Sequence, residues 1–282
     1  MNLENSSQIV VDLHLHTNYS DGKLSPIELL DKVKQLNIQC VGIVDHDNVD
    51  GLDEAIEYAK KLNIELIPGV ELSSSIGDID VHILGYFIDH KNKNLLEHLH
   101  IFKEERIKRA RRIIDKLQKM NIPLEFESLL EKSKNSALGR PHIATAMVEN
   151  GYVGSYQEAF DNYIRNGGPA YEAKYTFSPK QAIKLINQCG GLSFIAHPSA
   201  YLEDNIISQL IELGIDGIEI IHPSHPPAVV DMLHKTASEY FLLESGGSDY
   251  HGGLRGDEEA LGRYTIPYKY INAMKKRLYL SQ

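Results

Sequence analysis

Between Ile9 and Leu15 the chain runs through apolar, mostly branched residues and delivers His14-Leu15-His16. Such a run predicts a β-strand. Side chains two apart on a strand leave by the same face, so His14 and His16 point together. Two neutral imidazoles side by side at a strand end make half of a divalent-metal site. Asp21 follows in a short polar loop ended by Gly22 and can add a carboxylate. Two histidines buried by chance would read the same way so far. The decision rests on whether the rest of the chain supplies more ligands of this kind.

It does, one strand after another. Ser25-Pro26-Ile27-Glu28 opens a helix, with Ser25 as N-cap, proline at the first helical position and glutamate closing a capping box. Cys40–Val44 reads as a strand ending in Asp45-His46-Asp47, and a helix follows over Leu52–Leu62. A third strand, Ile64–Leu72, ends at Glu71, and a fourth, Val81–Phe87, carries His82. From about Asn94 the character changes: Leu95–Met120 reads as one long helix, and Phe126–Ser133, His142–Asn150 and Tyr156–Asn166 as shorter ones. This stretch is a helical insertion, with Gly167-Gly168-Pro169 as the hinge back. Ser178-Pro179-Lys180-Gln181 then repeats the helix-start pattern, and strands at Leu192–Ala196, Gly217–Ile221 and Phe241–Glu244 end in His197-Pro198, His222-Pro223 and the run Ser245–His251. Seven strands alternating with helices predict an α/β fold, a parallel barrel with its chemistry at the strand ends. The barrel occupies 1–93 and 171–282 and the insertion 94–170.

At those strand ends stand His14, His16, Asp21, His46, Glu71, His82, His197, Asp249 and His251, imidazoles and carboxylates only. They are too many for one tetrahedral ion and suit two or three borderline metals, Zn, Mn or Fe, sharing bridging ligands. Unpaired, so many titratable groups in one barrel mouth would be costly to bury, and metal ions resolve that cost.

The formal net charge of -10 argues against general wrapping of nucleic acid. Cys40 and Cys189 are the only cysteines; each sits in an apolar element and reads as a small core residue in a reduced compartment. The first residues carry no apolar run behind a basic segment, and no stretch has the length of a membrane span. The expectation is a cytoplasmic protein with no membrane association and no obligate protein partner.

His14-x-His16, Thr17-x-x-Ser20-Asp21-Gly22, Val44-Asp45-His46-Asp47, Gly69-x-Glu71, His82, Ala196-His197-Pro198 and Gly247-Ser248-Asp249-x-His251 follow the order of the PHP (polymerase and histidinol phosphatase) domain signature. The chain resembles that family over nearly its whole length. Within it, Gly139-Arg140-Pro141-His142-Ile143-Ala144 and the place of the insertion resemble the branch of 3′,5′-nucleoside bisphosphate phosphatases and 5′→3′ oligoribonucleases. The resemblance implies a distorted seven-stranded (β/α) barrel with a trinuclear metal centre capped by the helical insertion. It implies one metal on His14, His16, Glu71 and Asp249, a second on Glu71, His82 and His197, and a third on Asp21, His46 and His251. Asp21 stands where the family often has histidine.

The implied chemistry is metal-assisted hydrolysis of a phosphate monoester, with a metal-bridging water as nucleophile and Glu71, His197 and Asp249 at its centre. The implied substrates are a 3′,5′-nucleoside bisphosphate and short 5′-phosphorylated RNA. Arg140 has a forked guanidinium that fits a second phosphate, and Lys174 is a weaker candidate for the same role. His222, Ser224 and His225 follow the sixth strand at the mouth; His225 either donates to the phosphate or leaving oxygen or is a plain loop histidine. The basic run Lys103, Arg106, Lys108, Arg109, Arg111 and Arg112 is either a solvated face or an arm over the cleft.

Three other readings compete. A histidinol-phosphate phosphatase or broad phosphomonoesterase would need no cationic contact from the insertion. An amidohydrolase also opens with His-x-His, but its usual bridging lysine is missing and Glu71 takes that place. A metal-stabilised binding module without turnover would be expected to have lost ligands, and this chain has the full set.

Overall fold

The computed structural model of the protein describes residues 9–77, 79–132, 138–201 and 205–280. The chain divides between Leu96 and Glu97, and again between Thr176 and Phe177, into two compact units. The strands, all in the first unit, are β1 (Val10–Leu15), β2 (Cys40–Ile43), β3 (Glu65–Ile76), β4 (Ile79–Tyr86), β5 (Leu192–Ile195), β6 (Gly217–Ile221), β7 (Leu243–Gly246) and β8 (Ile266–Pro267). The helices are α1 (Pro26–Gln35), α2 (Leu52–Leu62), α3 (Lys93–Lys119), α4 (Phe126–Lys132), α5 (Arg140–Glu149), α6 (Tyr156–Ala159), α7 (Pro179–Gln188), α8 (Ile206–Glu212), α9 (Pro227–Glu239) and α10 (Lys269–Leu280).

In the first unit the eight strands form one sheet in the order β7-β6-β5-β4-β3-β2-β1-β8. Its ends curl together: Leu15 bridges Tyr250 in parallel, and the His16 amide donates to the Tyr250 carbonyl at 3.0 Å. The result is a nearly closed barrel, mixed in direction rather than wholly parallel. β3 runs on past Glu71 to Ile76 and pairs antiparallel with β4, which pairs antiparallel with β5. The seven expected strands are joined by β8, which pairs antiparallel with β1.

Helix starts follow local chemistry. The Glu28 amide donates to Ser25 Oγ while Glu28 Oε2 accepts the Ser25 amide at 2.9 Å, and Ser178 with Gln181 repeats the box at the start of α7. Val11, Leu13, Cys40, Ile67, Leu84, Tyr86 and Phe194 form one buried cluster with Ile271 and Met274 of α10. Burying a side chain of that kind stabilises by about 1.5–3 kcal/mol. Sequence patterning had not foretold α10, which contributes two wholly buried side chains to this core. Both cysteines are buried and free.

Among its described residues the second unit has helices and no strand. Most of α3 packs with α4, α5 and α6 through Ile113, Leu117, Ile143, Met147 and Ala159, and α6 continues as a π-helical turn over Phe160–Ile164. The basic residues of α3 are largely engaged within this unit. Arg112 and Lys116 grip the Glu172 carboxylate at 3.0 and 2.8 Å, Arg109 donates to the Glu172 carbonyl, and Arg111 lies over the Phe126 ring. Among the described residues, no helix is long and apolar enough to cross a membrane.

Candidate metal centre

The site begins with the pleat of β1. Val11, Leu13 and Leu15 join the apolar packing, while the alternating Asp12, His14 and His16 form a buried polar row. Asp12 Oδ1 accepts the Ser248 amide at 3.0 Å, which ties β1 to the segment after β7. That seam requires Gly247, because a Cβ there would sit 2.4 Å from the His14 nitrogen. The loop after β1 is fastened by Asp45, whose carboxylate accepts from the Thr17 amide and from the Thr17 and Ser20 hydroxyls. Those bonds give the Thr-x-x-Ser-Asp spacing its physical reason: they carry Asp21 back over the strand ends.

Glu71 lies at the centre. Its Oε2 is 3.3 Å from both His14 Nε2 and His16 Nε2 and 3.2 Å from His46 Nδ1. Its Oε1 is 2.8 Å from His82 Nδ1 and 3.1 Å from His197 Nε2. Asp249 Oδ1 faces the same pair from the other side, 3.3 Å from His14 Nε2 and 3.1 Å from His16 Nε2. Asp21 Oδ1 is 3.2 Å from His251 Nε2, and its Oδ2 is 3.9 Å from His46 Nε2. All nine residues expected at the strand ends therefore meet in one cluster within the first unit. Candidate ligand atoms lie within 4.8 Å of one another in four overlapping groups, one of which brings His222 together with His14 and Asp249.

The donor set fits divalent cations. Among the described residues, His16 Nε2, Asp21 Oδ1 and His251 Nε2 are buried and find no hydrogen-bond partner, an arrangement that costs free energy unless something else fills it. The tautomers agree. His14 Nδ1 faces Glu219 Oε1 at 2.8 Å and His251 Nδ1 faces the Asp249 carbonyl at 2.7 Å, so each Nδ1 donates its proton and leaves Nε2 as a bare lone pair turned inward.

The electrostatics point the same way. Burial works against charge on Glu71, Asp249 and Asp21, yet the surrounding imidazoles outweigh it and hold all three below the usual carboxylate range. Burial also opposes a charge on His16, but Asp249 and Glu71 push its pKa up to about 10. His46 moves the other way, to about 3, because burial and neighbouring imidazoles prevail there. Ionised carboxylates at this depth draw in positive charge, which protons supply in part and metal ions would supply better.

Two residues of this centre were not legible as members. Glu219 on β6 is wholly buried, orients His14 and accepts the His197 amide at 2.7 Å. Arg255 bonds Asp21 Oδ2 from the loop after β7. The sequence offered little for Glu219, an acidic residue between Ile218 and Ile220, beyond the oddity of a charge inside an apolar strand.

The remaining candidates fall elsewhere. His225 has both ring nitrogens on the backbone, Nδ1 toward the Ile220 carbonyl at 2.7 Å and Nε2 toward the Ser199 amide at 3.4 Å, which suits holding the loop rather than donating to a phosphate. Ser224 Oγ joins Ser199 Oγ at 2.7 Å and His222 Nδ1 at 2.8 Å. Arg140 and Lys174 belong to the second unit. Arg140 Nη1 donates to the Ile164 carbonyl at 3.1 Å and to Asn166 Oδ1 at 2.8 Å, and Lys174 is exposed.

Comparison with known proteins finds relatives along most of the chain. A 5′-3′ exoribonuclease of Haemophilus influenzae is 35% identical over 246 residues, spanning 85% of this chain and 89% of that protein. A 3′,5′-nucleoside bisphosphate phosphatase of Chromobacterium violaceum is 32% identical over 88% of this chain and 90% of its own. Among solved structures, a Bifidobacterium adolescentis protein described as a metal-dependent phosphoesterase superposes with a TM-score of 0.82 at 28% identity, covering 95% of this chain and 96% of that one. The PHP domain matches residues 12–169, more than half the chain and most of the ligand-bearing strands. With that match and the likeness to these relatives along almost their full length, the chain belongs to the PHP domain family.

Proposed function

We propose that this chain is a metal-dependent phosphoesterase that removes a phosphate from a nucleotide, with a 3′,5′-nucleoside bisphosphate as preferred substrate and short 5′-phosphorylated RNA as a second. The observation that carries the reading is the set of buried, unbonded polar atoms turned toward one another around Glu71. Residues of this kind would hold two to three ions of Mn, Zn or Fe: His14, His16, Glu71 and Asp249 one, Glu71, His82 and His197 another, and Asp21, His46 and His251 a third. Bound there, divalent ions supply the Lewis acidity that activates water and neutralises phosphoryl oxygens.

The protein's own part is placement. Glu71 offers both oxygens to different imidazoles, the arrangement a bridging ligand needs. Glu219 holds His14 in the tautomer a ligand requires. Arg140 is the proposed contact for the second phosphate, and Lys174 is a weaker candidate for the same role. Its guanidinium is fixed by two acceptors and retains donors for a charge-assisted bond. The names and coverage of the relatives favour nucleotide substrates.

Phosphate release with added Mn²⁺ on adenosine 3′,5′-bisphosphate, AMP, histidinol phosphate and a short 5′-phosphorylated RNA tests this. The bisphosphate is expected to be fastest, with AMP as product. Faster turnover of histidinol phosphate would assign the chain to that phosphatase class instead.

A further inference from the structure

His222 ends β6 beside the metal centre and differs from its neighbours in where its proton sits. Its Nδ1 accepts the Ser224 amide at 3.1 Å and lies 2.8 Å from Ser224 Oγ, which leans on Ser199. A backbone N–H can only donate, so Nδ1 is bare and the neutral ring carries its hydrogen on Nε2. This is the reverse of His14 and His251, whose Nδ1 atoms donate and whose Nε2 atoms are free to ligate. A ring in the His222 tautomer presents an N–H donor inward rather than a lone pair.

Among the described residues that donor has no proper acceptor. His222 is 7% exposed, its Nε2 is buried, and no hydrogen bond satisfies it. The nearest oxygen, Asp249 Oδ2, is 3.4 Å away, long for an N–H···O bond. The other oxygen of Asp249 faces His14 and His16, so the His222 donor stands at the rim of the ligand cluster. A cavity of about 550 Å³ opens there, lined among others by His222, Ser224, Asp249, Arg255, Arg263 and Tyr264. A buried donor without a partner, at the mouth of a cavity, calls for an acceptor from outside the chain.

We propose that His222 is a substrate contact and not a metal ligand: Nε2–H donates to a phosphoryl oxygen at the centre, and the adjoining cavity receives the sugar of the esterified nucleoside. The proposal rests on the phosphoesterase reading and adds to it a donor and a pocket. The bond strengthens as charge develops on the phosphoryl oxygens. The cavity carries charged side chains of both signs without being cationic. Asp249, Asp257, Glu258 and Glu259 line it against Arg255 and Arg263, and Arg255 is already bonded to Asp21. Such a lining disfavours a second phosphate and suits hydroxyls, which donate to carboxylates and accept from guanidinium groups.

The test compares His222→Ala and His222→Gln with the wild type, each loaded with Mn²⁺. Glutamine carries an N–H at a similar reach. Four quantities are read: bound metal by elemental analysis, thermal midpoint, affinity for inorganic phosphate, and kcat/KM on adenosine 3′,5′-bisphosphate. The alanine variant should keep its metal and midpoint, lose roughly a hundredfold to a thousandfold in kcat/KM, as removal of one such donor does elsewhere, and bind phosphate more weakly. The glutamine variant should recover at least about tenfold of that rate, which is 1.4 kcal/mol. Loss of bound metal in the alanine variant would make His222 a ligand and overturn the proposal. Unchanged phosphate affinity and rate would overturn it too. A wild type that binds metal and phosphate yet hydrolyses none of the esters would defeat the phosphoesterase reading, and phosphate affinity in the variants would still decide the contact.

Discussion

Glu219 and His14 are joined by a 2.8 Å contact between two side chains that are both wholly buried. Because the carboxylate accepts, the His14 proton is fixed on Nδ1 and Nε2 faces Glu71 and Asp249. Glu219→Gln would place an amide against the ring, and an amide N–H there would drive the His14 proton to Nε2. Metal affinity should then fall by about 10–100-fold, the usual range for loss of a ligand's hydrogen-bond partner. Competition against a chelator measures it; a change below about threefold would show that the tautomer is held by something else.

Glu71 touches five imidazoles, whereas Asp21 faces three at longer mean range and gives one oxygen to Arg255. Glu71→Ala should strip most of the bound metal and reduce turnover by more than about a hundredfold. Asp21→Ala should lose only part of the metal and keep measurable activity. Elemental analysis alongside steady-state rates separates the two, and equal residual rates at saturating metal would refute a central role for Glu71.

Arg140→Ala tests the second-phosphate contact. A charged hydrogen bond is worth about 1.5–3 kcal/mol, or roughly tenfold to a hundredfold in kcat/KM. The loss should appear on the bisphosphate and be small on AMP, which lacks the second phosphate. An equal loss on both would make Arg140 a structural residue, held as it is by Ile164 and Asn166.

The two thiols offer a pH test away from the centre. Burial pushes Cys189 from 9.0 up to about 11 and raises Cys40 further still. Both thiols are therefore protonated in the folded protein at pH 8 and should react with a thiol reagent only on unfolding. A raised acid pKa means the folded state holds the proton more tightly than the unfolded chain. The stabilisation is complete below pH 9 and drains away as pH rises toward 11. Thermal midpoints across pH 8–11 should fall more steeply in the wild type than in a Cys40→Ala, Cys189→Ala double variant, and parallel slopes would contradict this.

The ligands could be read from the sequence because ligand type and strand period coincide. His14 and His16 are two apart on a strand, and the other groups follow apolar runs that could only be strands. Strand direction left no such trace: the residues of β3 and β4 alternate the same way whether the strands run parallel or antiparallel. The only local mark is Gly77 near the turn, with φ at +59°. β8 pairs over two residues, too short to show a period, and α10 follows it without a capping signal. Glu219 and Arg255 escaped notice because their roles depend on partners 205 and 234 residues away in the chain. His225 follows a strand end as the ligands do, but its nitrogens face the backbone of Ile220 and, 26 residues earlier in the chain, of Ser199, a pairing that the sequence does not show.

Two of the residues at the centre, His197 and Asp249, adopt left-handed backbone angles, with φ at +30° and +49°. Aspartate tolerates that region better than most residues, histidine somewhat less so, and a β-branched residue hardly at all. Variation at these two positions is thus filtered twice, once for what can hold a cation and once for what can bend that way. A drifting lineage could exchange Asp249 for asparagine or glycine and keep its barrel while losing its chemistry. It could not reach valine or isoleucine by any neutral step, so the corner would go silent before it went missing, leaving an intact scaffold whose lost activity shows only in the side chain.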